Sequence, residues 1–307
     1  MTEKKLEVFN VLNFLDKGYE LDYILKEGNF GTFSSADECV DYLIENGYLS
    51  KGDNSAAFEI ISKKHTVAQL KDILRENNLK VSGKKHELVE RAMPILSKKI
   101  DREFVLLMDD EPEEIKLTDK GKEFLKENEW IDLYMFALVA FRFSDYELFY
   151  ENSSEDSFHT ALNFCDEVLS RALISNQFIV FIDALSAKAH VYAYAQDYES
   201  FLDYDLQRFI LGLNPFNMDS KTYSTYEIIS SANIINLKNV IDHFDFGNLK
   251  KRFNKIWKKS NISNITVPKN ISYKILMKAL SGEDIEVLNF DLRERYFNEK
   301  FLGDGYE

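Results

Sequence analysis

Only four prolines, Pro94, Pro112, Pro215 and Pro268, interrupt a chain of 307 residues. Proline removes a backbone donor and clashes with the turn before it, so it ends or kinks a helix. Glycine, the other strong breaker, occurs twelve times and is scattered. Such a chain has long stretches free to coil, and the expected fold class is mainly α. Periodicity points the same way. Between Ser157 and Leu173, apolar residues fall at Phe158, Ala161, Leu162, Cys165, Val168 and Leu169, then again at Ala172. Steps of three and one trace a single face of an α-helix. Tyr198, Phe201, Leu202, Phe209 and Leu213 form a similar stripe, closed by Asn214-Pro215. Strand-like segments are short, with Phe58 to Ile61 and Ile115 to Thr118 the two candidates.

The acidic run Asp109-Asp110-Glu111-Pro112-Glu113-Glu114 reads as a solvated loop that separates an N-terminal region from a long helical one. From Trp130 onward the pattern predicts about eight helical segments. Residues 184–202 have the alanine and tyrosine content of a tetratricopeptide helix pair, but no second copy follows at a fixed period.

The net charge is −14, which at first sight disfavours a partner made of phosphates. The charge is unevenly spread, however. Residues 62–100 hold ten basic and four acidic side chains, a net of +6, which leaves −20 for the rest. Residues 246–281 hold nine basic side chains and no acidic one, densest in KKRFNKIWKK, residues 250–259. Basic islands on an acidic body confine where an anionic partner can touch. Cys39 and Cys165 are far apart and form no C-x-x-C, so neither a thiolate zinc site nor a disulfide scaffold is expected. The expected location is a reducing cytoplasm. No secretory leader is expected. The longest apolar run, Leu133 to Phe141, falls short of the roughly 20 residues a membrane-spanning helix needs.

Within the first island, residues 66–92 read TVAQLKDILRENNLKVSGKKHELVERA. Thr66 and Gln69 have the spacing of a capping box, followed by Val67, Leu70, Ile73 and Leu74 on one helical face. Asn77-Asn78 can end that helix in the left-handed region. Leu79 and Val81 anchor an extended link. Ser82 is placed to cap a second helix carrying Leu88, Val89 and Ala92, which Pro94 ends or bends near Ala92. This helix, ordered link and helix resemble the SAP domain over residues 64–97. Val67, Leu70-Lys71, Leu74, Leu79, Ser82-Gly83-Lys84-Lys85, Leu88 and Arg91 carry the resemblance. The family often has glycine where Asn77-Asn78 stands. The resemblance implies binding to double-stranded DNA, with Lys71, Lys80, Ser82, Gly83, Lys84, Lys85 and Arg91 as the contact residues. It also suggests a bacterial or phage-type, prophage-like setting. Elementary physics agrees, since amides at a helix start favour a phosphate, glycine lets a backbone approach closely, and lysines add attraction.

Two flanking pieces, residues 33–49 and 115–128, resemble parts of a winged helix, with Phe58 to Ile61 placed to pair with Ile115 to Thr118. The SAP-like unit then sits inside the wing. Asp37, Glu38 and Asp41 make the helix in recognition position acidic. The expected organisation is a winged-helix-like domain at 1–61 plus 112–129, the SAP-like module at 62–100, and an α-helical domain at 130–307. A second basic patch is expected at Lys250, Lys251, Arg252, Lys255, Trp257, Lys258 and Lys259, where Trp257 between cations can stack on a base or enter a groove.

No catalytic or metal-binding residue and no cofactor is assigned. H-E-x-x-H, Walker A, G-x-G-x-x-G and G-x-S-x-G are absent, and carboxylates such as Asp183, Asp203 and Asp205 lack a surrounding motif. The leading expectation is a non-enzymatic DNA-binding protein whose helical domain binds a protein partner or self-associates, with no membrane contact. Two others stay open: a protein-interaction scaffold with incidental basic islands, and an unrecognised DNA-processing enzyme.

Overall fold

The computed structural model describes residues 2–19, 21–27, 31–51, 55–77, 79–103, 115–216, 226–243, 248–262 and 265–297. The acidic run at 109–114 and Asn78 lie outside them. The chain forms two compact units, Glu3–Asn128 and Glu129–Glu307, and is mainly α as its few breakers require.

In the first unit, α1 (Thr2–Asp16), α2 (Leu21–Glu27) and α3 (Ala36–Glu45) precede β1 (Leu49–Lys51). Ser35 caps α3 by accepting from the Glu38 N–H at 3.1 Å. Gly47 turns the chain out of the helix at φ +73, a conformation side chains resist. β1 pairs antiparallel with β2 (Ile115–Leu117), with Leu49 opposite Leu117 and Lys51 opposite Ile115. α7 (Asp119–Glu127) follows, capped by Thr118. The Thr118 hydroxyl also donates to the Gly47 carbonyl at 2.7 Å, tying the start of α7 to the turn after α3. Val8, Val11, Leu12, Ile24, Cys39, Leu43 and Leu49 are buried together in this core.

Between β1 and β2 in sequence lie α4 (Ser55–Lys64), α5 (Val67–Glu76) and α6 (Lys85–Glu103). They bury a core of their own, with Ile61, Leu70, Leu74, Leu88, Val89, Ala92 and Leu96 inside and Phe58, Ile73, Val81 and Met93 against it. Burying each large aliphatic contributes about 1.5–3 kcal/mol, which suffices to organise so small a unit. Two sequence expectations change here. Phe58 to Ile61 is helix rather than strand; Phe58 and Ile61, one turn apart, pack against this core, and β2 pairs with Leu49–Lys51 instead. A short apolar run has no decisive period, and burial on one face settled it as helix. Nor does Pro94 end the second SAP-like helix, which runs on to Glu103 with Leu96 held in the core beyond it.

The second unit starts at α8 (Trp130–Leu133), which passes into a π-turn at Tyr134–Leu138. Trp130 stacks between Phe143 and Tyr150, with ring centroids 5.5 and 4.6 Å away. Then come α9 (Phe143–Glu151), α10 (Ser157–Ile174), α11 (Phe178–Tyr194) and α12 (Tyr198–Gly212). The expected stripe on α10 is the buried one, with Ala161, Cys165, Val168 and Ala172 inside. α10 and α11 end alike: Asn176 and Gln196 take φ of 55 and 60, and the next residues, Gln177 and Asp197, donate back to Ala172 and Tyr192. Such tight closures fold successive helices back along one another. α13 (Ser231–His243), α14 (Leu249–Lys259), α15 (Lys269–Leu280) and α16 (Ile285–Leu292) complete the unit. Their core includes Leu206, Phe209, Leu237, Phe253, Ile256, Leu276 and Leu288. No described helix is long and apolar enough to cross a membrane.

Candidate nucleic-acid interface

The SAP-like segment begins with the capping box that its sequence predicts. Thr66 accepts from the Gln69 N–H at 3.3 Å, and the Gln69 side chain accepts from the Thr66 N–H at 2.8 Å. The helix ends at Asn77, whose side-chain amide donates to the Ile73 carbonyl at 2.9 Å. Asn77 itself has φ −101 and is not left-handed, and Asn78, the other residue expected to end the helix, lies outside the described residues. The Leu79 N–H closes the end by donating to the Leu74 carbonyl at 2.8 Å.

The extended link then runs from Leu79 to Lys84. Val81 packs inward, while Lys80, Ser82, Gly83, Lys84 and Lys85 are exposed. Ser82 is not the helix cap. The first backbone bond of α6 runs from the Leu88 N–H to the Lys84 carbonyl, so Lys84 holds the cap position. The amides of Lys85, His86 and Glu87 are the first of the helix and have no intrahelical acceptor. A helix start of this kind carries partial positive charge.

Gly83 takes φ +136, and a side chain there would collide with Glu87 and come within 3.1 Å of the Arg91 guanidinium. The backbone favours glycine, since φ +136 strains any side chain, whereas the exposed Glu87 carboxylate could swing aside. Arg91 is the residue whose role the sequence did not reveal. Its guanidinium donates to the Lys80 carbonyl and lies 3.8 Å from Glu87. With its side chain 29% exposed, Arg91 braces the link from inside the module. His86 lies tilted against Phe58, 4.6 Å between ring centroids, and 3.5 Å from Glu90, while Arg75 pairs with Asp72. Among the described residues Lys71, Lys80, Lys84 and Lys85 make no ion pair, so their charge stays available; Lys71 is half-buried on α5.

The comparisons bear on this segment alone. Residues 63–94 match the SAP domain family. This SAP domain thus covers α5, the link and the first half of α6, together with the last residues of α4. No curated protein and no solved structure matches the chain.

The second basic segment forms α14, and the structure divides its residues into two groups. Arg252 is turned to α12: its Nε donates to Asp203 at 2.6 Å, another nitrogen donates to the Glu199 carbonyl at 2.7 Å, and a third meets the Glu199 carboxylate. Trp257 is half-buried beside Phe253, 6.0 Å between centroids, against the helical core. It is not the exposed stacking residue that the sequence suggested, because its place on α14 continues the apolar face of Phe253 and Ile256. Lys250, Lys251, Lys255, Lys258 and Lys259 are exposed. Lys255 lies 3.9 Å from Asp203.

Among the described residues no group of three His, Cys, Asp or Glu could hold a metal ion. Asp203 and Asp205, two apart on α12, face different neighbours, as residues at that spacing must. Asp203 meets Arg252, whereas Asp205 is fully buried with Arg208 3.9 Å away. Both Asp205 carboxylate oxygens lack a hydrogen-bond partner, and burial pushes the group up to about 7, against the pull of Arg208. Burial also raises Asp183. These carboxylates serve the interior rather than a surface cation.

Proposed function

We propose that the SAP domain holds the phosphate backbone of duplex DNA through Lys80, Ser82, Gly83, Lys84 and Lys85, with Lys71 at the margin and Arg91 bracing the link from within. The observation that carries this reading is the link itself. A glycine in a backbone conformation that side chains resist sits between exposed lysines at a helix start, and the segment matches a family of generally DNA-binding modules. Amides and lysines together suit a phosphate, and such contacts fix position more than sequence. The rest of the first unit favours a winged-helix-like frame, since three helices precede a strand pair between whose strands the module lies in sequence. In that reading the domains are 1–61 plus 112–129, 62–100 and 130–307.

The helical domain is proposed to bind a protein partner or a second copy, which the exposed Phe136, in contact with Tyr194 at 5.5 Å, favours. Buried free thiols at Cys39 and Cys165 suit the reducing cytoplasm proposed for the chain, together with a bacterial or phage setting proposed by analogy with other proteins that carry such modules. Fluorescence anisotropy of a labelled duplex tests the DNA reading. Binding at low salt that weakens as salt rises is expected, and absence of binding at low salt removes it.

A further inference from the structure

We infer that the outer face of α14 is a second surface for the phosphate backbone of nucleic acid, built separately from the SAP domain. The helix is divided along its length. Leu249, Phe253, Ile256 and Trp257 lie on one side and enter the helical core. At 100° per residue, Lys250, Lys251, Asn254, Lys255, Lys258 and Lys259 cover the opposite half, about 180° of circumference. They rise roughly 12 Å along the axis from Lys250 to Lys258, and all but Lys259 line an open depression of about 430 Å³ with Asn248. No acidic residue occurs from 246 to 281. Glu199 and Asp203 both pair with Arg252, which offsets one of their two charges, and Asp203 also lies beside Lys255. Lys250, Lys251 and Lys258 therefore carry the surface, and Lys255, beside Asp203, contributes less.

The chemistry selects the partner. The apolar side of α14 is engaged in the core, so the helix has no face left to enter a lipid boundary. The row is made of flexible ammonium groups, with Tyr273 half-buried beneath Lys250 at 5.9 Å, and ammonium groups of this kind give attraction without base readout. That describes contact with regularly spaced phosphates. Each neutralised phosphate adds roughly −0.9 to the log–log salt slope, which is about eightfold in affinity at ~0.1 M salt against a 1 M reference.

The test uses the full chain with Lys80→Ala, Lys84→Ala and Lys85→Ala already in place, so that the SAP link has lost its three exposed lysines, and a fluorescein-labelled duplex as probe. Adding Lys250→Ala, Lys251→Ala and Lys258→Ala is expected to lower the remaining affinity at least tenfold and to flatten the salt slope by roughly 2.7. The same three changes to Gln, with helical content checked by circular dichroism, give the decision if the alanine variant does not fold. Unchanged affinity and slope overturn the inference, as does a chain without those link lysines that binds no duplex at low salt. Polyglutamate competing as well as duplex also overturns it, because the face would then take acidic protein. The reading of the SAP domain is judged separately, by the loss that Lys84→Ala and Lys85→Ala cause in the unaltered chain.

Discussion

The SAP link and α14 are both basic, and each uses one arginine against the fold while its lysines face outward. Arg91 grips the Lys80 carbonyl, and Arg252 grips Glu199 and Asp203. The guanidinium suits this work because it donates in several directions at once. The two sites differ in shape. The link is an extended segment with a positive-φ glycine just before a helix start, so exposed lysines and free helix-start amides lie within a few residues of one another. α14 is a regular helix whose start is capped by the Asn248 side chain, which accepts from the Lys251 N–H, and its lysines spread over about half the circumference. A shaped site can locate a phosphate, whereas a charged face can only attract a row of them.

The units also differ in what they bury, and the largest expected effect lies there. Asp205 of the helical unit is buried with both oxygens unpartnered, while the module's acids at Asp72, Glu87 and Glu90 lie at the surface. With its carboxyl raised from 3.8 to about 7, the folded state holds the proton more tightly than the unfolded chain does. Stability from this group is therefore full below about pH 4 and is lost as pH climbs to about 7, on the order of 4 kcal/mol at most. Thermal unfolding between pH 5 and pH 8 should show this downward slope. Asp205→Asn should flatten it, and an unchanged slope would mean that another group is responsible.

Next in size is Arg252→Gln. It leaves Asp203, 22% exposed, without its close partner, and should cost about 2 kcal/mol of stability in denaturant melts, hydrogen bonds to charged groups being worth about that much. Lys258→Ala on the same helix should cost under ~0.5 kcal/mol, as expected of an exposed side chain. Equal costs for the two would erase the division of α14 into a braced side and an open one. Smaller than the Arg252 effect is that of Gly83→Ala. Forcing φ +136 on a side chain that meets Glu87 and Arg91 should cost about 1–2 kcal/mol. It should weaken duplex binding without touching a lysine. Unaltered binding would show that the link's shape matters no more than α14's.

Much of this was legible beforehand, and the reasons for the rest are physical. The Thr66–Gln69 capping box and the inward Leu70, Leu74, Leu88 and Val89 follow from local spacing, which a sequence displays directly. So does the half-turn of lysines on α14. What escaped depends on tertiary neighbours. Arg91 and Arg252 looked like members of basic runs because their partners, the Lys80 carbonyl and Glu199 with Asp203, lie 11 and about 50 residues away. Trp257 read as an exposed aromatic among cations until the core claimed its face. Phe58 to Ile61 gave no period long enough to distinguish strand from helix.

The central claim is that the link, and not the net charge, decides contact with DNA. It is tested most directly by titrating salt against duplex binding for the unaltered chain and for Lys84→Ala with Lys85→Ala. Four phosphate contacts at the link predict a log–log slope at least as steep as roughly −3.6, and loss of two lysines should flatten it by roughly 1.8. A slope that the double change leaves untouched would contradict the account.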